Sequence, residues 1–166
     1  TGQGTYYARL QAINPSIAYY ANDLSYHMLH NHPADARQLS RSDAIHLPYA
    51  PNSFDVVMAN HMLYHVPNIE AALVEIKRVL KPNGIIIAAT DSIHNLPELQ
   101  VLMRRAIVVL TRDGAPQVNP PALPSDTFAL ENGSRILSRH FFGVVRHDIP
   151  RQLVFHESEP AMHYLE

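Results

Sequence analysis

Apolar and polar positions along the chain follow two periods, and their alternation sets out a series of helices and strands. Residues 68–80 place Ile69, Ala72, Leu73, Ile76, Val79 and Leu80 at helical spacing, with Asn68 as a cap. Residues 97–112 predict another helix, opening on Pro97, a residue favoured in a first helical turn. Residues 130–139, 5–12 and 25–31 predict shorter helices, the last capped by Ser25. The runs FDVVMAN at 54–60 and GIIIAAT at 84–90 have the continuous apolar character of buried strands. Residues 17–22, IAYYAN, are rich in β-branched and aromatic side chains and read as a strand ending at Asp23. Residues 37–42 form a weaker strand before Asp43, and Lys81-Pro82-Asn83-Gly84 reads as a stop and turn. The stretch 113–125 holds four prolines and reads as a long irregular connection within one domain. Residues 141–148 and 151–156, parted by Pro150, predict an antiparallel pair at the sheet edge.

Strands alternating with helices imply an α/β fold with a mostly parallel sheet and helices on both faces. Composition narrows the picture further. Hydrophobic residues make up 46% and charged residues 17% of the 166 positions, the balance of one globular domain. The formal charge of −2, with Lys and Arg scattered, offers no basic field for nucleic acid. The absence of cysteine excludes disulfides, thiolate metal sites and a cysteine nucleophile, and fits a reducing, cytoplasmic setting. No apolar run has membrane-spanning length. The opening Thr1-Gly2-Gln3-Gly4 is loop-like and reads as a start inside a domain.

Two glycines near a terminus are by themselves a flexible end. Gly2 and Gly4 gain meaning from Asp23, about 20 residues on and just after a strand, where a carboxylate can accept from both hydroxyls of a ribose. That arrangement identifies an adenosine-type ligand without identifying its chemistry, and Asp23 could instead cap the following helix.

Several ordered pieces carry a resemblance: Asp23-Leu24-Ser25 with Met28-Leu29; Asp43-Ala44 with Leu47-Pro48-Tyr49; Ser53-Phe54-Asp55-Val56-Val57; Asn60-His61-Met62-Leu63-Tyr64-His65-Val66; and Glu75-Ile76-Lys77-Arg78-Val79-Leu80-Lys81-Pro82-Asn83-Gly84. In this order and spacing they resemble the UbiE/COQ5-like, methyltransferase-11 branch of class I S-adenosylmethionine-dependent methyltransferases. The tail from Phe128 through Leu130-Glu131-Asn132-Gly133 to Tyr164 is similar as well. The resemblance implies a Rossmann-like sheet with an antiparallel C-terminal hairpin. It also implies that residues 1–166 are one methyltransferase domain lacking its first strand, since only Gly2 and Gly4 remain of the family's acidic-x-Gly-x-Gly-x-Gly turn.

The implied cofactor is S-adenosyl-L-methionine. Gly2 and Gly4 would approach it through backbone, Asp23 would hold the ribose, and Leu24 would lie on adenine. Asp43 and the Ala44 amide would address the adenine edge. Asn60 and His61, at the carboxyl end of a strand, would border the methionine part and the methyl group. His61, Tyr64 and His65 are the candidate catalytic set, with either histidine as the proton acceptor. Asp55 is expected to be structural.

His61 and His65, four apart, would share a helix face, but Met62 stands where a zinc-protease motif needs Glu, so no metal site is expected. His27, His30 and His32 read as exposed, and Tyr6, Tyr7, Tyr19 and Tyr20 as core or cleft aromatics. The expected activity is methyl transfer to a small molecule. A non-catalytic adenosine-binding domain is the alternative. A nicotinamide enzyme fits poorly with Asp43-Ala44 and residues 60–66.

Overall fold

The computed structural model describes residues 2–111, 127–154 and 156–157. The proline-rich stretch expected at 113–125 lies outside them. Among the described residues the order is α1 (Tyr7–Ile13), β1 (Ala21–Asp23), α2 (Tyr26–His30), β2 (Leu39–Arg41), β3 (Phe54–Asn60), α3 (Ile69–Val79), β4 (Leu80–Ala89), α4 (Pro97–Thr111) and α5 (Leu130–Leu137). Single 3₁₀ turns precede β2 at Ala36–Gln38 and follow β3 at Leu63–His65.

The caps named from sequence form. Ser25 Oγ accepts the Met28 N–H at 3.4 Å, and Asn68 Oδ1 accepts the Ala71 N–H at 3.0 Å. Helix α3 buries Ala72, Leu73, Ile76 and Val79, the stripe its spacing dictated.

Both strand pairings are parallel. β1 runs beside β2, with Ala21 opposite Leu39 and Asp23 opposite Arg41. β3 runs beside β4, from Val56 opposite Ile85 to Asn60 opposite Ala89. The pairs are separate two-stranded sheets. Their amino ends meet in an aromatic cluster: the Phe54 ring lies 4.8 Å from Tyr49 and 5.9 Å from Tyr20, edge to face.

Pleating divides the β3–β4 pair into two faces. Ala59 packs with Leu63, Leu73, Ile76, Leu80 and Phe128 in the core, with Val57, Ile86 and Ala88 against it. The opposite face carries the cross-strand pairs Val56–Ile85 and Met58–Ile87, which are exposed. Strands that read as buried on both sides are thus covered on one side among the described residues.

Three expectations are corrected. The strand at 17–22 shrinks to Ala21–Asp23, because the rings of Tyr19 and Tyr20 turn into local aromatic contacts and only three residues meet β2. The turn at 81–84 is absorbed into β4, which begins at Leu80. Phe54 faces Leu80 while Val56 faces Ile85, so the extra residues form a bulge, with Asn83 at φ 68°. The antiparallel hairpin of 141–148 and 151–156 is absent from the described residues there, which carry no strand. Phe142, Val145, Ile149 and Leu153 are exposed, so the alternation exists in sequence but has no sheet face to pack on. No described helix is long and apolar enough to cross a membrane.

Candidate functional site

Ligands of open α/β sheets bind beyond the carboxyl ends of the strands, and Asp23, Asp43 and His61 stand at or just past such ends. At the end of β1, Asp23 Oδ2 accepts the Gly2 N–H at 2.9 Å and Oδ1 accepts the Ser25 N–H at 2.9 Å. Partial burial pushes the Asp23 carboxyl up. Its hydrogen bonds, those from Ser25 and Gly2 among them, outweigh this and hold it below its ordinary value. Asp23 therefore orders the approach to α2 through the Ser25 N–H, with Ser25 itself as the cap, and faces the glycine turn as an anion. Leu24 beside it is exposed, while its carbonyl accepts from Arg41 Nε at 3.1 Å.

Gly2 and Gly4 have φ 57° and 81°, values that favour glycine. A Cβ on Gly4 would lie 2.7 Å from the His32 ring and 2.7 Å from Pro33, whereas one on Gly2 would meet nothing within 4 Å. The backbone at Gly4 is thus closed on one side by side chains. His32 is buried, unlike the exposed His27 and His30, which corrects the expectation of three surface histidines.

Beyond β2, Asp43 makes its own turn. Its Oδ1 accepts the Ile45 N–H at 3.2 Å and its carbonyl accepts the His46 N–H, with Ala44 inside the turn. The following loop is held from α3. Arg78 makes a bidentate pair with Glu75 at 2.7 Å for each bond, and also donates to the carbonyls of Tyr49 at 2.8 Å and Leu47 at 3.1 Å. Glu75 accepts the Leu47 N–H at 2.9 Å. The Arg78 guanidinium holds the Glu75 carboxyl below its ordinary range. This clamp was not singled out from sequence. Its only signal was the Glu75–Arg78 spacing of three on a helix. Arg78→Ala is expected to lower unfolding free energy by about 2 kcal/mol, because carbonyls and a carboxylate lose charged donors. Urea denaturation reads the loss, and Arg78→Lys should recover less than half of it, lacking the planar fork.

Beyond β3 and β4 the chain makes a second cluster. His61 adopts φ 49°, unusual for a non-glycine residue, and its N–H donates to the Ala89 carbonyl at 2.8 Å. Its Nδ1 lies 3.6 Å from Asp91 Oδ2, both side chains being a little under half exposed. Tyr64 is half-buried. Burial, then the Asp91 charge, pushes its phenol up. The His65 ring lies 4.5 Å from that of Tyr64 and is exposed. Since 61–65 is a left-handed residue followed by a 3₁₀ turn, the two histidines do not share a helix face. The structure brings His61 to Asp91, which sequence reading missed. The available signal was an acidic residue just past an apolar strand, the same signal that had marked Asp23. Asp55 pairs with Lys81 at 2.8 Å on the surface.

The donor set fits an adenosine cofactor: an anionic acceptor and an apolar side chain after β1, a second carboxylate after β2, and a glycine turn hydrogen-bonded to the first.

Solved structures share the fold. A SAM-dependent methyltransferase from Aquifex aeolicus is 17% identical, with a TM-score of 0.60 over 88% of this chain and 70% of that one. A putative methyltransferase from an antibiotic biosynthesis pathway of Anabaena variabilis is 18% identical, with a TM-score of 0.56 over 84% and 51%. Among curated proteins, the biotin biosynthesis bifunctional protein BioHC of Saccharophagus degradans is 34% identical over 126 residues, 71% of this chain and 22% of that protein. The demethylmenaquinone methyltransferase of Lactobacillus johnsonii is 51% identical over 47 residues, 28% of this chain and 19% of that protein. The chain thus spans about a fifth of the length of each of these two relatives. A family model described as "Methyltransferase domain", of the methyltransferase-11 group, matches residues 1–88 of 166. The chain belongs to this methyltransferase family and has the Rossmann-like class I fold.

Proposed function

We propose that the protein transfers a methyl group from S-adenosylmethionine to a small-molecule acceptor, and that residues 1–166 act as one methyltransferase domain. The observation that carries this reading is the hydrogen bond from Gly2 N–H to Asp23, which joins the glycine turn to a carboxylate at a strand's carboxyl end. Asp23 would hold the ribose hydroxyls and Leu24 would cover one adenine face. Asp43 and Ala44 would meet the adenine edge, with Gly2 and Gly4 on the backbone side and Asn60 toward the methionine end. When bound, the cofactor supplies a methyl group on an electrophilic sulfonium. The protein's part is alignment and exclusion of water.

His61, Tyr64 and His65 would border the acceptor. His61 is the better placed proton acceptor, since Asp91 faces its Nδ1 and leaves Nε2 for a hydroxyl or amine. The curated relatives are named for demethylmenaquinone methylation and biotin biosynthesis, both small-molecule chemistry. The net charge of −2 gives nucleic acid no electrostatic purchase.

Calorimetry with S-adenosylhomocysteine and with NAD tests the cofactor: binding of the first and not the second is expected, and the reverse would overturn the reading. Turnover on a panel of phenol, carboxylate and amine acceptors tests the rest. His61→Ala should lose about a hundredfold in kcat while S-adenosylhomocysteine affinity stays within about threefold. Tyr64→Ala and His65→Ala should also lose turnover more than affinity. Normal turnover in all three variants would place the acceptor elsewhere.

A further inference from the structure

His32 is the one buried polar side chain among the described residues, and the methyl-transfer reading above gives it no task. Its surroundings are specific. Nδ1 accepts the Ala34 N–H at 3.1 Å, so this nitrogen carries no proton. Nε2 lies 3.1 Å from the Tyr19 hydroxyl. The Tyr19 ring stacks on the imidazole at 5.6 Å, and the Tyr7 ring meets it edge-on at 5.9 Å. Tyr7 and Tyr19 also contact each other at 5.0 Å, closing a three-ring cluster from α1, the approach to β1 and the loop after α2. Against this cluster lies Gly4, so close that a Cβ there would stand 2.7 Å from Nε2 and 2.9 Å from Cδ2. Gly4 in turn precedes α1, its carbonyl accepting the Tyr7 N–H at 2.9 Å.

We propose that His32 is a positioning residue for the glycine turn: its neutral ring is the wall that fixes Gly4, and through Gly4 it sets the backbone that meets the cofactor. The last step rests on the reading that residues 2–4 border S-adenosylmethionine.

A proton on the ring would undo this arrangement. Nδ1–H would face the Ala34 N–H, donor against donor, and a charge would sit among aromatic rings. The groups facing the imidazole are the phenols Tyr7 and Tyr19, and no carboxylate contributes to its shift. Burial pushes His32 below its ordinary value. The folded value therefore lies below the unfolded one. The ordering is complete above the unfolded value and is lost as pH falls through the folded one.

The test uses S-adenosylhomocysteine as probe and two substitutions. His32→Asn keeps an acceptor near the Nδ1 position for the Ala34 N–H but cannot take a proton in this range. His32→Ala removes the wall. Wild-type affinity should weaken between about pH 7.5 and about pH 5.5, by less than about tenfold because the folded value lies below the ordinary one. His32→Asn should bind within about threefold of wild type at the higher pH, with that dependence flattened. His32→Ala should bind about tenfold more weakly at every pH. The Gly4 amide resonance gives an independent readout, because it needs no cofactor. It should titrate with the His32 ring in wild type and not in His32→Asn. Wild-type affinity in His32→Ala, or an unchanged pH profile in His32→Asn, would overturn the proposal. If the wild-type protein ignores S-adenosylhomocysteine, the cofactor reading of the turn fails. The Gly4 resonance then decides the positioning claim, and an amide blind to His32 titration rejects it.

Discussion

Asp23→Ala is expected to reduce affinity for S-adenosylmethionine and S-adenosylhomocysteine by at least about a hundredfold, from two charge-assisted hydrogen bonds at roughly 1.5–3 kcal/mol each. The carboxylate sits at the end of β1, is held below its ordinary value, and already orders the Gly2 and Ser25 amides. Alanine removes the proposed ribose acceptor and the hydrogen bond that holds Gly2 at once. Asp23→Asn separates the contributions. It keeps one acceptor oxygen for the Ser25 N–H but loses the charge, and should bind about tenfold more weakly than wild type. Calorimetry at about pH 7.5 reads both variants. Alanine binding within threefold of wild type would mean that Asp23 only shapes the entry to α2. A stability signature accompanies the affinity loss. Because the folded value is depressed, the contribution of Asp23 is complete above the ordinary carboxylate value and disappears as pH falls through the folded one. The acid limb of stability against pH should therefore be shallower in Asp23→Ala than in wild type.

Elements decided by local periodicity were legible, and elements decided by partners were not. Helix α3 announced itself because Ala72, Leu73, Ile76 and Val79 recur on one face and Asn68 caps it. The core it packs against, Ala59 and Leu63, follows from the same stripe. The carboxyl ends of β1 and β3 were legible for a related reason: an apolar run stopping at Asp23 or Asn60 marks where backbone leaves the sheet. The bulge that absorbs Lys81–Gly84 into β4 was hidden, because proline, asparagine and glycine look alike in a turn and in an irregular strand. The tail at 141–154 misled in the opposite sense, since alternation makes a strand only where a neighbour offers hydrogen bonds. His32 and Asp91 were invisible because their meaning lies in contacts across the chain. One packs on Gly4, 28 positions earlier, and the other faces His61, 30 positions earlier. Arg78 belongs with them: helical spacing gave it Glu75, but its bonds to Leu47 and Tyr49 are tertiary.

Phe128→Ala is expected to lower unfolding free energy by about 3–5 kcal/mol, the largest stability loss of any substitution considered. The side chain is 1% exposed and is the largest fully buried one among the described residues. It joins α3, β3 and β4 through Leu73, Ala59 and Leu80, and its ring lies so close to Gly133 that a Cβ there would stand 3.3 Å away. A hole of this size between two helices and a sheet has little room to collapse. The consequence reaches the candidate acceptor site, because the backbone around Phe128 stitches that site together. The Phe128 carbonyl accepts from Thr90 Oγ1 at 2.6 Å, the Leu130 N–H donates to the Asp91 carbonyl at 3.1 Å, and Thr127 Oγ1 donates to the Tyr64 carbonyl at 3.2 Å. Asp91 and Tyr64 are therefore held by the segment that Phe128 anchors. Urea denaturation should show a lower midpoint at unchanged slope. Phe128→Leu, which refills most of the volume, should cost less than about 2 kcal/mol. A variant as stable as wild type would show that the 127–131 turn is not anchored in the core. The His61–Asp91 approach would then need another support.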